Sequence, residues 1–568
     1  MTSSYNEKFK YPLVGLSLTV IIFSGSLSIL LYLYNFGVSS QEDDLIALLK
    51  VSRAITTFWI SFKQATLSCV VSFCLAIPIA SIIARRHEWR IVSVLFSILG
   101  LVLVMPTTVA AVGILNVFGL NGWIANLLDY LSSGRLGWIN VYGMHGLILA
   151  HVFFNLPLMI RVFVPIFLSF PKEHIFLGEQ FQFSRLKYFW ILEWPSIKKA
   201  AISVNLLVFM LCFTSFSLVL MLGGGPKVTT FEVEIYSALR FDFNISKASV
   251  LALIQVLFVM SVVFALAFTG NGLSNNSQIY TPLGENNKFY SKKVWRVSDK
   301  SNKNRLWSTL IDVIWLSPIV LIILFPFLAI LFSGFSESIF NVLSWQIFWV
   351  SFFNTLLIAF SSALLAITFG LILIHAKVKF TTHNLSGKNF IIGFIETSVL
   401  IYLAIPAIVL GTGLFVIFRQ FVDVMALSWL ILIMANVFLS LPFVVGLIEP
   451  KMVGLELKYK NLLGVMEIKG VKKFLAIILP GISFELGLAL GLALCFSIGD
   501  LSVIALFGNN DFQTIPWLIY QTYGRYGLSD ANALALILLV ITFFFFFISQ
   551  ILVRKLCITL AKEVRLNA

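Results

Sequence analysis

Charge is what this chain has least of. Asp, Glu, Lys and Arg together make 12% of its 568 residues, against about 25% in soluble domains. So few charges cannot cover a water-facing surface, so lipid must be the main solvent, and length does not convert into soluble domains. Acidic residues are the scarcer sign, 26 against 40 basic. Cysteine is also rare. Cys69, Cys74, Cys212, Cys495 and Cys557 lie in or beside apolar stretches, with no CxxC pair and no histidine cluster. That argues against a disulfide framework and a zinc site and leaves small core residues. A phosphate cradle is missing too. Gly387-Lys388 comes nearest, but Asn389 follows in place of Ser or Thr and Thr382 stands where the first glycine belongs. No catalytic constellation stands out, so the chain reads as a non-enzyme that binds no cofactor itself.

What the chain has is apolar length. Hydrophobic residues make up 59% and the mean hydropathy is +0.96. A bilayer core of roughly 30 Å needs about 20 apolar residues as helix, and lipid-exposed backbone must bond within its own segment. Twelve stretches qualify: 11–34, 55–83, 91–118, 141–168, 201–222 and 247–269, then 308–333, 345–374, 391–418, 425–448, 481–507 and 531–553. The first is too long for a signal h-region and lacks a clear A-x-A site, so it reads as an uncleaved membrane helix. The expected fold is all-α: a polytopic membrane protein of about twelve transmembrane helices in two six-helix halves.

The net charge of +14 fits this reading. With the N-terminus inside, cytoplasmic segments hold 30 of the Lys and Arg residues and outer loops hold 8. That asymmetry places both termini in the cytoplasm. No basic stripe interleaved with exposed aromatics points to a nucleic acid. Residues 270–307, rich in Asn, Ser, Gly and Lys, read as a cytoplasmic linker. It divides a first half, 1–269 with a core at about 55–269, from a second, 308–568 with a core at about 345–553.

The halves resemble each other. Phe58-Trp59-Ile60-Ser61-Phe62 matches Phe348-Trp349-Val350-Ser351-Phe352. Pro106 with Gly113 matches Pro406 with Gly413, and Leu211-Cys212-Phe213 matches Leu494-Cys495-Phe496. Preserved order makes this a repeat rather than chance. Six is even, so the repeats are parallel and related by an axis along the membrane normal.

Loops 169–200 and 449–480 carry the functional signal. Each is charged, moderately amphipathic and ends at a proline, Pro195 or Pro480, 38 residues after Pro157 or Pro442. Two such segments on one face suit docking to a two-fold partner, with a helix inserted in a groove. The alternative is an interfacial helix on lipid headgroups. The candidate contacts are Gln182, Arg185, Lys187 and Phe189 in the first loop and Glu467, Lys469, Lys472 and Phe474 in the second.

These loops resemble the coupling loops of type I ABC importer permeases, whose pattern is E-A-A-x3-G, nine residues, then I-x-L-P. Glu193-Trp194-Pro195 and Ile478-Leu479-Pro480 match its end, while Gln182 and Glu467 replace its glycine. Across nearly its whole length the chain is similar to the fused permeases of thiamine ABC importers. The residues that carry this are Leu222-Gly223-Gly224-Gly225-Pro226, Ile235-Tyr236-Ser237-Ala238-Leu239, Gly499-Asp500 and Ala505-Leu506-Phe507-Gly508-Asn509. The resemblance implies a bacterial inner-membrane permease, a cytoplasmic ATPase dimer holding ATP-Mg, and a periplasmic thiamine-binding protein. It implies transport of thiamine and its phosphates. Ferric iron or another small solute remains an alternative, as does an ion-coupled secondary transporter, which would need midplane carboxylates.

Ionisable groups in spans are functional candidates by default. Asp500 is the candidate on the substrate path, since thiamine is a cation; a helix-ending carboxylate is the alternative. Arg161 and Lys63 are expected to snorkel from span ends. His145 and His151 read as hydrogen-bonded helix residues rather than ligands.

Overall fold

The computed structural model describes residues 2–38, 52–87, 89–132, 141–169, 180–181, 183, 187, 189–223, 225, 228–268, 302–382, 388–420, 427–465, 470–509, 512–525 and 527–566. Among these every regular element is helical. Ten helices are long and apolar enough to cross a membrane: Val14–Asn35, Ala54–Arg85, Thr107–Leu131, Met144–Leu168, Ile245–Ala265, Thr309–Gly334, Gln346–Thr381, Ser428–Tyr459, Ser483–Phe507 and Leu528–Val564. Two bent pairs, Phe189–Lys198 with Ala200–Phe213 and Asn389–Ala404 with Ala407–Phe418, bring the number to twelve. These correspond in order to the twelve apolar stretches.

Several spans are broken where the sequence reads as continuous. The third is a helix from Arg90 to Val102 and another from Thr107 to Phe118. The ninth bends by 101° between Ala404 and Ala407. Pro106 and Pro406 stand at these breaks in extended backbone, with ψ of 139° and 153°. Proline supplies no N–H and keeps the residue before it out of the helical region. The fifth span ends at Phe213 and is followed by Ser217–Leu222 and then Phe231–Arg240. The eleventh ends at Ile498 and is followed by Ser502–Phe507 and then Ile515–Arg525. The element order of residues 52–268 thus recurs in 346–566. These are called the first and second series below.

The span that precedes each series packs across onto the other. The first span lies on Gln346–Thr382, Lys388–Ala404 and Ala407–Phe418, and Phe325–Gly334 of the seventh lies on Thr107–Phe118. Glycine permits both approaches. A Cβ on Gly413 would stand 2.2 Å from Ile29 Cγ2, and one on Gly113 would stand 2.7 Å from Ile330 Cδ1. The two contacts are counterparts under the repeat. In lipid, helices associate through such close packing and interhelical hydrogen bonds rather than water exclusion. The bonds are present as well. Tyr402 donates to the Ile22 carbonyl at 3.0 Å. Buried Asp312 of the seventh span accepts from Arg86 at 3.0 Å and pairs with Arg85 at 3.5 Å.

Several buried polar groups are bonded inside each series. His151 Nδ1 lies 3.3 Å from Ser68 Oγ, and Gln64 donates to the Cys212 carbonyl at 2.7 Å. Asn436, the counterpart of His151, donates to Ser497 at 3.0 Å, which also accepts from Ser362 at 2.9 Å. Arg161 does not reach out of its span. Its guanidinium lies 5.1 Å from the Phe96 ring centre, in space that Gly100 leaves open.

Candidate functional site: the paired loops and the opposite face

The fourth span leads into one loop and the tenth into the other, so both loops lie on the same face. The tenth span does not stop at the membrane edge expected near residue 448. Its helix runs unbroken from Ser428 to Val465, so the first arm of the loop continues the span. The return arm begins at Gly470, whose φ of +62° favours glycine. It runs through Gly470–Lys473 and a π-helical turn at Phe474–Ile478. Lys473 on this arm pairs with Glu456 on the outgoing helix, and Lys451 lies 3.6 Å from Glu485. The loop is therefore a clamped hairpin. A third cluster at its base joins Lys377 to Glu396, 2.6 Å away, and to Glu449.

The first loop repeats the return arm. Phe189–Glu193 is also a π-helical turn, and it too runs straight into a helix with proline at its second position. The cause lies in the sequence. Pro195 and Pro480 lack the N–H that the carbonyl four residues earlier needs, and their rings crowd that carbonyl. The turn opens to the wider i→i+5 pattern. Pro326, after the π-helical turn Ile319–Leu324, shows the same relation.

Of the expected contact residues, Lys187 and Lys472 are exposed, and Phe189 and Phe474 are half-buried. Phe189 packs edge-on against Trp190 with ring centres 5.5 Å apart, and exposed Ile191 follows. Gln182, Arg185, Glu467 and Lys469 lie outside the described residues. The structure thus gives each loop one exposed lysine and one aromatic at matching positions.

On the opposite face the two series meet through polar side chains that sequence reasoning did not single out. Arg240, in the last turn of Phe231–Arg240, donates to the Gly508 carbonyl at 2.7 Å and the Leu506 carbonyl at 3.4 Å. Those carbonyls end the helix Ser502–Phe507, where positive charge is favourable. Asn116 donates to Asn532 at 2.8 Å. Tyr142 and Tyr523 share a hydrogen bond between their hydroxyls. Tyr523 lies on Ile515–Arg525, outside the spanning helices, and burial pushes its hydroxyl above the ordinary tyrosine range. Buried Glu232 accepts from Gln255 at 2.8 Å. The one signal in the sequence was charge between the fifth and sixth spans of an otherwise apolar stretch.

Asp500 stands at the break of the eleventh span. Its Oδ1 accepts from the Ser502 N–H at 2.9 Å and the Val503 N–H at 3.4 Å, so it caps Ser502–Phe507. Its Oδ2 is shielded from solvent and has no hydrogen-bond partner. A Cβ on neighbouring Gly499 would stand 3.1 Å from Pro106, so this break meets the break of the third span. An unpartnered carboxylate oxygen is thereby held where the two series touch.

Residues 76–270 match the family described as binding-protein-dependent transport system inner membrane component. The thiamine transport system permease protein ThiP of Brucella abortus (strain 2308) is 32% identical over 85% of this chain and 84% of its own length. ThiP of Escherichia coli (strain K12) is 31% identical over 92% of this chain and 93% of its own. The chain belongs to the thiamine transport system permease family. A more distant relative clarifies its size. The molybdenum transport system permease protein ModB of Azotobacter vinelandii is 27% identical, with 90% of its length matching 36% of this chain. The matched stretch of 209 residues is close in length to a single series here.

Proposed function

We propose that this chain is the membrane-spanning permease of an ATP-driven importer and that its solute is thiamine, with its phosphate esters. The observation that carries the reading is the identity to thiamine permeases along 84% and more of the relatives' length. The paired loops supply the mechanical part. Each offers an exposed lysine beside an aromatic on a short return arm, the form a helix takes when it enters a groove. A cytoplasmic ATPase dimer is the partner proposed for Lys187, Phe189, Lys472 and Phe474, with Gln182, Arg185, Glu467 and Lys469 completing the contact. A periplasmic thiamine-binding protein is the partner proposed for the other face. Asp500 is the proposed contact for the thiazolium cation on its path.

The same reading sets the chain in a bacterial inner membrane with both termini cytoplasmic. Residues 1–269 and 308–568 act as two permease units, joined by 270–307. The concentration of Lys and Arg in 84–90, 169–200, 270–307 and 449–480 supports that orientation.

The test is ATP hydrolysis by the candidate ATPase in nanodiscs containing this chain. Hydrolysis should be slow alone and rise severalfold when thiamine-loaded binding protein is added. Stimulation by an iron-loaded binding protein instead would keep the importer and change the solute. No association between the ATPase and the chain would defeat the coupling assignment.

A further inference from the structure

Among the described residues, polar side chains join the first series to the second at three places: Arg240 to Gly508 and Leu506, Asn116 to Asn532, and Tyr142 to Tyr523. All three sit at the ends of the spans farthest from the two loops. This follows from the order of the spans. Tyr142 precedes the fourth span, Arg240 lies between the fifth and sixth, and Tyr523 lies between the eleventh and twelfth. Asn116 ends the outgoing part of the third span and Asn532 begins the twelfth.

We propose that these contacts form the gate that closes the translocation pathway on the face opposite the loops, with Arg240 as its clasp. The proposal rests on the transport reading above and adds the residues that must part to admit the solute. Contacts of this kind suit a gate. Each joins a few polar atoms, and a net hydrogen bond is individually modest. They can be exchanged without unpacking the glycine-dependent crossings of the first and seventh spans.

The clasp is itself held firmly. Lys247 bridges Glu234 at 2.8 Å and Asp242 at 3.1 Å, tying down both sides of the turn that follows Arg240. In that turn Phe243 takes a φ of +52°, a conformation a bulky residue adopts only when its surroundings impose it. What Arg240 grips is also informative. Ser502–Phe507 is capped at its start by Asp500 and held at its end by Arg240 from the other series. Withdrawing Arg240 frees the short helix that Asp500 caps. Opening of the gate and exposure of the carboxylate are therefore one movement.

The first test is a reversible cross-link in proteoliposomes with both partner proteins, using the double variant Tyr142→Cys, Tyr523→Cys. Oxidised protein is expected to take up thiamine at least tenfold more slowly than the same protein after reduction. Equal uptake before and after reduction, with the cross-link verified, would overturn the gate. A second measurement does not depend on the solute. Spin labels replace exposed Phe243 and Ser529, one in each series on this face. Their separation should widen by several ångströms when the ATPase is trapped with ATP. An unchanged separation would overturn the gate. No uptake by the unsubstituted chain under the same conditions would count against the substrate reading alone, and the spin-label separation then decides the gate by itself.

Discussion

At Gly413 the protein has no room for a single methyl group, because Ile29 of the first span occupies that space. Overpacking a close contact costs about 1–3 kcal/mol. Gly413→Val should therefore lower the melting temperature in detergent, whereas Gly446→Ala, with nothing within 4 Å of the new atom, should leave it nearly unchanged. Asp312 is a second residue of this kind. It is buried, while Arg85 and Arg86 are 22% and 20% exposed. Removing one partner of a buried pair costs about 3–5 kcal/mol, and partial exposure of the arginines reduces that, so Asp312→Ala should cost ~1–3 kcal/mol by thermal or denaturant melting. Asp500→Asn keeps the cap's shape and removes its charge. Thiamine uptake should fall about tenfold, equivalent to ~1.4 kcal/mol, and uptake at the wild-type rate would remove Asp500 from the path.

Much at this scale could not be read in advance. Arg85 and Arg86 were legible as inside charges, but their acceptor Asp312 lies 226 residues away from Arg86. Arg240 and Tyr142 find partners 268 and 381 residues away. Local spacing holds no trace of such distances. Asp500 was legible because a lone carboxylate beside a span is costly. Its capping bonds depend on the chain turning at Gly499, which the surrounding apolar run conceals.

At the scale of elements, the spans were legible because each needs its own long apolar run. The breaks were not. Pro157 and Pro442 stay inside continuous helices while Pro106 and Pro406 end theirs. The difference lies in what tertiary packing supplies to the interrupted backbone. The π-helical turns before Pro195 and Pro480 were hidden likewise, although the prolines at the loop ends were plain in the sequence. These turns set the angle at which each loop's return arm meets the next span. Pro480→Ala restores an N–H and should favour a regular helical turn there. Stimulation of ATP hydrolysis by the loaded binding protein should then fall severalfold, while the ATPase still associates. Phe474→Ala should weaken association itself, measured by co-purification with the ATPase.

At the scale of the whole molecule, the internal repeat in the sequence and the recurrence of elements agree from the second span to the sixth and from the eighth to the twelfth. What the repeat did not reveal is that the spans preceding the two series each reach across to the opposite one, through Gly413 or Gly113. The spans at positions one and seven, each touching both series, thereby bind the two together. The arrangement leaves the loops on one face and the Arg240 clasp on the other as the places where movement is transmitted.

The most direct measurement is accumulation of labelled thiamine inside proteoliposomes containing this chain, with the ATPase and the binding protein added singly and together. Accumulation that needs both proteins and ATP, and that survives collapse of ion gradients, is the expected result. Uptake by this chain alone, driven by a proton or sodium gradient, would contradict it.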